Sequence, residues 1–308
     1  MKKLHNMKCC ILVMADNREL SARNLMAINQ TYINGYYLDK DSFDNEFTFY
    51  YYTGGYNNFN VVEQHIQCVS PDNIDGTFYK TIEAFNYCRK MNFDFIIRTN
   101  ISTYINLRLL DKCLSLFNKD VIYCNKICTY LDDNLLNKYY PRGDAYIIHN
   151  DLLCKCLDLL EHYSPSDEYT LDDKYDDVLF GMLILKVFGD DFVEHIKPMQ
   201  YNCLLETALH PCVKNCIFSR LKTCPPNTHS GYSWDDNEYR LYDIKKFLQL
   251  HKSFEYAKDD LINDNENISI EHLLADYDSD DYIIKLDDEM CITSLNNLIL
   301  YNKQRKTK

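Results

Sequence analysis

Two adjacent carboxylates, Asp176 and Asp177, open the apolar run Val178-Leu179-Phe180-Gly181. A carboxylate against an apolar wall loses hydration, becomes more basic, and can accept a proton from a hydroxyl nucleophile. The same pair would serve as a helix N-terminal cap favoured by the macrodipole. One step along a helix turns a side chain by about 100°, so one of the two is expected to reach inward, and the spacing leaves open which. A second segment, Arg98-Thr99-Asn100-Ile101-Ser102-Thr103, combines a cation with small polar groups directly after the apolar residues 93–97. It suits a phosphate but is poor in carboxylates; its other reading is a strand-to-helix turn capped by Ser102 or Thr103. Lys80 and Arg142 are further cations near these segments, and Arg240 is a third. Asp16 and Asn17 leave the first apolar run, where they either touch a ligand or make a plain turn.

Other groupings carry weaker chemistry. His210, Cys212, Cys216 and Cys224, with His229 in reserve, match no standard zinc spacing, and unligated thiols are the favoured reading. Asp276, Asp278 and Asp280 resemble the start of a calcium loop, but Asp281 stands at the turn glycine, which favours a solvated acidic tail. Trp234, the only tryptophan, lies in a polar loop, where it would hold a sugar face or anchor the loop.

The elements that must position these residues alternate between strand and helix. Strands are expected over 9–15, 47–52, 61–69, 93–97, 120–124 and 145–148. Helices are expected over 21–33, 77–91, 107–117, 151–163, 177–187 and 239–256. Over residues 7–197 this alternation predicts an α/β, Rossmann-like, mostly parallel sheet with helices on both faces, and ligands beyond the carboxyl ends of its strands. A domain over 1–200 is followed by a smaller C-terminal extension over 201–258 and an acidic, partly helical tail over 259–308. The 308 residues suffice for a core without metals or disulfides, so the 14 cysteines are expected to be reduced. Net charge is −13, but residues 259–289 hold 12 acids against Lys285 alone. The rest is nearly neutral and lacks the basic field that nucleic-acid binding needs. No run is long enough to span a membrane, which with the absence of a signal core points to the cytoplasm. Many Tyr, Asn, Ile, Lys and Asp beside 8 glycines suggest an AT-rich genome. A viral origin, with action in a host cytoplasm, would fit.

In order along the chain, five segments resemble the β-1,3-glycosyltransferases of the galactosyltransferase and fringe type. Ala27-Ile28-Asn29-Gln30-Thr31-Tyr32 is similar to their Ala-Ile-Arg-x-Thr-Trp, and Thr77 to Ile82 to their Leu-Thr-x-Lys-Thr helix. Arg98 to Leu107 aligns without gaps on Lys-Thr-Asp-Asp-Asp-Val-Phe-Val-Asn-Leu. Tyr140 to Ile148 resembles their Tyr-Pro followed by Gly-x-Gly-Tyr-Val, and Asp176 to Gly181 their Glu-Asp-Val-Tyr-x-Gly. The resemblance implies a GT-A fold, a nucleotide-sugar donor (a UDP-sugar first among them), a glycan or glycoprotein acceptor, and inversion at the anomeric carbon. It implies Asp177 as the base with Asp176 its partner, and Asp16, Lys80, Arg98, Asn100, Ser102 and Arg142 about the donor. Where the family has three aspartates, the last a Mn²⁺ or Mg²⁺ ligand, this chain has Asn100-Ile101-Ser102, so a divalent cation is not expected. Arg98 or Arg142 is then expected to act at the diphosphate in its place. The alternative is an inactive relative that binds sugar or protein. On either reading, the turn after residue 97 and the acid pair must face a shared cavity.

Overall fold

The computed structural model describes residues 7–131, 137–165, 175–199, 201–204, 216–222 and 237–256. His210, Cys212, Cys224, His229, Trp234, the acids of 276–281 and the acidic tail lie outside the described residues.

Strand β1 (Lys8–Met14) leads to helices α1 (Glu19–Ile28) and α2 (Asn34–Leu38), then β2 (Glu46–Thr53), β3 (Asn60–Val62), β4 (His65–Gln67) and helix α3 (Thr77–Cys88). Next come β5 (Phe95–Asn100), β6 (Thr103–Ile105), α4 (Leu107–Cys113), β7 (Ile122–Cys124), the hairpin β8 (Ile127–Leu131) and β9 (Asn137–Pro141), and β10 (Ala145–His149). Helices α5 (Asn150–Leu159) and α6 (Asp176–Phe188), strands β11 (Ile196–Pro198), β12 (Tyr201–Leu204) and β13 (Phe218–Leu221), and helix α7 (Asn237–Tyr256) complete the order. Eight strands form one sheet in the order β11-β7-β10-β5-β1-β2-β4-β3, and β12-β13-β6 make a small second sheet. The β1–β2, β1–β5, β2–β4 and β7–β11 pairings are parallel, whereas β10 runs antiparallel to both β5 and β7.

A strand buried on both faces reads as continuous apolar sequence rather than alternation. In β1, Cys9, Ile11 and Val13 enter one core and Cys10 and Leu12 the other. The first core is closed by Ala27 and Ile28 of α1, Leu109 and Leu110 of α4, and Phe247 and Leu250 of α7. The second is closed by Phe78 and Phe85 of α3, Leu152 and Leu153 of α5, and Leu179 and Leu183 of α6. The α/β class and the mostly parallel sheet flanked by helices are as expected from the sequence.

Several local expectations are corrected. The strand expected over 61–69 is a short hairpin, β3–β4, turned at Glu63 in the left-handed region (φ 55°). The helix expected over 21–33 is broken by a wide turn over Asn29–Ile33 with Thr31 off helical geometry (φ −107°, ψ −109°), and the Thr31 hydroxyl donates to Ala27 O at 2.7 Å. Strand β5 runs three residues beyond 97, so Arg98 and Asn100 lie in the strand. The cap of α4 is Asn106, whose side chain accepts from Leu109 N–H at 3.2 Å, not Ser102 or Thr103. Among the described residues, no helix is long and apolar enough to cross a membrane.

Candidate active site

Parallel strands β1 and β5 finish side by side, with Met14 paired to Asn100. Because β10 runs the other way, the turn that enters it, Gly143-Asp144, arrives at that same end of the sheet, where Ala145 pairs with Thr99. The first turn of α6 completes the group. Gly143 is packed so closely that a Cβ there would lie 3.1 Å from Asp177 Cβ, 3.2 Å from Asp177 Oδ2 and 3.3 Å from an Arg98 terminal nitrogen.

Strand alternation turns Arg98 to the same face as its partners Leu12 and Tyr146, the face that α6 covers. Its guanidinium has no exposed surface. It ion-pairs with Asp176, donates to Gly143 O and to Met14 Sδ (3.2 Å), and sits 5.7 Å from the Tyr146 ring centroid. A buried charge persists only when paired and hydrogen-bonded. Burial opposes its protonation, but the Asp176 charge and neighbouring Tyr52 and Tyr146 hydroxyls outweigh it and hold the guanidinium firmly charged. The terminal nitrogens are thus spent on the protein, and Arg98 lies behind Asp176 rather than facing a ligand as expected.

Asp177 faces the turn. Its Oδ2 accepts the Gly143 N–H at 3.0 Å and its Oδ1 the Val178 N–H at 3.0 Å. Burial and the neighbouring Asp176 charge push its carboxyl up to about 6, and the two N–H donors with Arg98 only partly counter this. The end of β5 and the acid pair are therefore in direct contact through Arg98, Asp176 and Gly143, where the sequence predicted a cavity between them.

A second charged group occupies the same sheet end on the far side of β1. Lys80, 2% exposed, donates to Ala15 O at 2.8 Å and to Asp72 Oδ1 at 2.7 Å. Asp72 also accepts from Asn17 N–H (2.8 Å) and Gly54 N–H (3.1 Å), which ties the ends of β1 and β2 together. Burial raises the Asp16 carboxyl, but hydrogen bonds from Arg18 and Ser21 win and lower it below the usual range. Met14 touches Arg98 and Ala15 touches Lys80, so the end of β1 joins the two groups.

The Asn100-Ile101-Ser102 loop does not fit a divalent cation. Asn100 Oδ1 accepts the Ser102 N–H (2.9 Å) and the Thr103 hydroxyl (3.3 Å), and its amide nitrogen donates to Gly143 O at 3.3 Å. Ile101 offers no ligand, and Ser102 O accepts the Leu221 N–H at 2.6 Å. Among the described residues, no group of three or more His, Cys, Asp or Glu is placed to hold a metal ion. Arg142 keeps a quarter of its side chain exposed, and its Nε lies 3.8 Å from Asp144.

The structure thus gathers Arg98, Asn100, Asp176, Asp177 and Arg142 around Gly143, and Lys80 and Asn17 around Asp72, while Asp16 bonds to Arg18 and Ser21 instead. Sequence reasoning missed Asp72, Gly143, Asp144 and Arg220. Gly143 and Asp144 fall inside the segment Tyr140 to Ile148 that carries the resemblance, but nothing in the sequence marks Asp72 or Arg220.

No protein-family model matches the chain. No curated protein matches it. Among solved structures the chain is similar to a glycosyltransferase involved in the glycosylation of the major capsid of PBCV-1, at a TM-score of 0.39 and 10% identity, over 78% of this chain and 99% of that one.

Proposed function

We propose that the chain is a glycosyltransferase that moves a sugar from a nucleotide donor to an acceptor hydroxyl, with inversion and without a divalent cation. The reading is carried by Asp177, a carboxyl raised to about 6 and aimed by two backbone N–H groups at the end of the sheet where α/β folds bind ligands. Asp177 takes the proton of the acceptor hydroxyl as that oxygen bonds to the anomeric carbon. The bond from this carbon to the donor phosphate breaks, and the nucleoside diphosphate leaves with the electron pair. A positioned base of this kind contributes about 10²–10⁴-fold, most when its pKa lies near the working pH. Asp176 raises the basicity of Asp177, and its ion pair with Arg98 holds it in place. Asp16, Asn100, Ser102 and Arg142 border the donor, with Lys80 bracing that edge from within.

The test is release of nucleoside diphosphate from a panel of nucleotide sugars, with and without EDTA. Turnover unchanged by EDTA and reduced at least about 100-fold in Asp177→Asn is expected. Turnover abolished by EDTA would refute the metal-free mechanism. A second reading, a sugar- or protein-binding module without catalysis, draws on the carboxylate-free Asn100-Ile101-Ser102 loop; it predicts binding with no turnover across the panel.

A further inference from the structure

Next to Gly143 lie a buried carboxylate, Asp144, and a buried guanidinium, Arg220, to which no role has been assigned. The Asp144 side chain has no exposed surface, and neither of its carboxylate oxygens has a hydrogen-bond partner. Arg220 stands 3.6 Å from one oxygen and Arg142 3.8 Å from the other, within ion-pair range but beyond a hydrogen bond. Arg220 is 8% exposed, and its Nε is buried without a hydrogen-bond partner. Its position is fixed by the backbone: β13 pairs with β6, with Arg220 opposite Thr103, and the Thr103 hydroxyl donates to Asp144 O at 3.0 Å. The adjacent Leu221 N–H is held by Ser102 O. Strand β13 thereby lies along the residues that follow Ile101, with the Arg220 guanidinium beside Asp144.

Arg220 is thus a buried guanidinium beside a carboxylate that it does not hydrogen-bond, with its Nε donor unused. An unspent, buried guanidinium donor of this kind fits an anion with several oxygens, because a planar fork can offer two parallel N–H bonds to one phosphate. We propose that Arg220, with Arg142, forms an anion site over Asp144 that holds the diphosphate of the donor. The inference rests on the transferase reading of the neighbouring acid pair, and it adds a cation source that the sequence did not disclose. Asp144 aligns the two arginines and moderates their affinity, so that the nucleoside diphosphate can leave after transfer.

Calorimetric titration of the full chain with inorganic pyrophosphate and with UDP, in EDTA, tests the site. Both ligands are expected to bind. Arg220→Gln should weaken both by about 10-fold or more, the usual cost of a lost charge-assisted hydrogen bond. Arg220→Lys should recover part of that loss. Asp144→Asn should tighten pyrophosphate several-fold, a change of opposite sign that a purely structural pair would not give. Should Arg220→Gln fail to fold, judged by circular dichroism, Asp144→Asn and Arg220→Lys decide the matter. No binding of pyrophosphate to the wild type overturns the site, as does unchanged affinity in folded Arg220→Gln. Pyrophosphate binding that depends on Arg220, with no sugar transfer from any donor, would leave the anion site standing and remove the transferase reading. Sugar transfer indifferent to Arg220→Gln would do the reverse.

Discussion

Asp177 is asked both to give up much of its hydration and to carry charge. With its folded pKa near 6, against an ordinary 3.8, the folded state holds more protons than the unfolded chain between those values. Stability is therefore fully present below about pH 4, declines as pH rises toward 6, and stays reduced above it. Asp177→Asn abolishes that cost: its unfolding temperature should rise by a few degrees over wild type at pH 7.5 and match it at pH 4, while turnover collapses. The wild-type kcat/KM should fall about tenfold per pH unit below 6, since only the ionised carboxylate accepts a proton. A rate profile flat down to pH 4.5 would contradict the base assignment. Much at this scale was legible, because adjacent acids before an apolar helix carry their own signature. The fate of Arg98 was not. A cation after five mostly apolar residues reads as the start of a loop, and only Asp176, 78 residues away in sequence, makes its burial tolerable.

At the scale of elements, the reversed direction of β10 does the positioning. It places the peptide groups of Gly143 where β1 and β5 end, one offering the Gly143 N–H to Asp177 and the other the Gly143 C=O to Arg98. Gly143→Ala should displace Asp177 by a few tenths of an ångström, given the 3.1 Å approach of the added carbon. Such a shift of a reacting group costs more in rate than in stability. A drop in kcat of tenfold or more with an unfolding temperature within a few degrees of wild type is expected; full activity would show that the turn does not aim the base. Strand and helix types were readable from periodicity, since β1, α3 and α6 show continuous or one-sided apolar patterns. Strands β6 and β11 to β13 are three or four residues long and too short to leave a pattern, so Arg220 could not be placed in advance.

For the molecule as a whole, Lys80 links the helix layer to the sheet. Through Asp72 and Ala15 it fastens the loops leaving β1 and β2, and it is 2% exposed. Lys80→Met leaves Asp72 buried without its cation, and breaking a buried pair from one side costs about 3–5 kcal/mol. Chemical denaturation should show that loss, and a midpoint within error of wild type would mean that Asp72 is well solvated. The two-faced core was legible because an α/β sheet needs apolar sequence on every central strand. The join between the Arg98 and Lys80 groups was not, because it is made by backbone and sulfur atoms of Met14 and Ala15, which carry no chemical signal in the sequence.

The enclosure of the Arg98 guanidinium has a consequence for ionic strength. Mobile ions screen surface charges over about 8 Å at physiological salt but cannot enter between partners that water does not reach. Potassium chloride should weaken donor capture at the outer rim, while the acidic limb of the rate profile, set by Asp177 beside the enclosed Arg98 pair, moves far less.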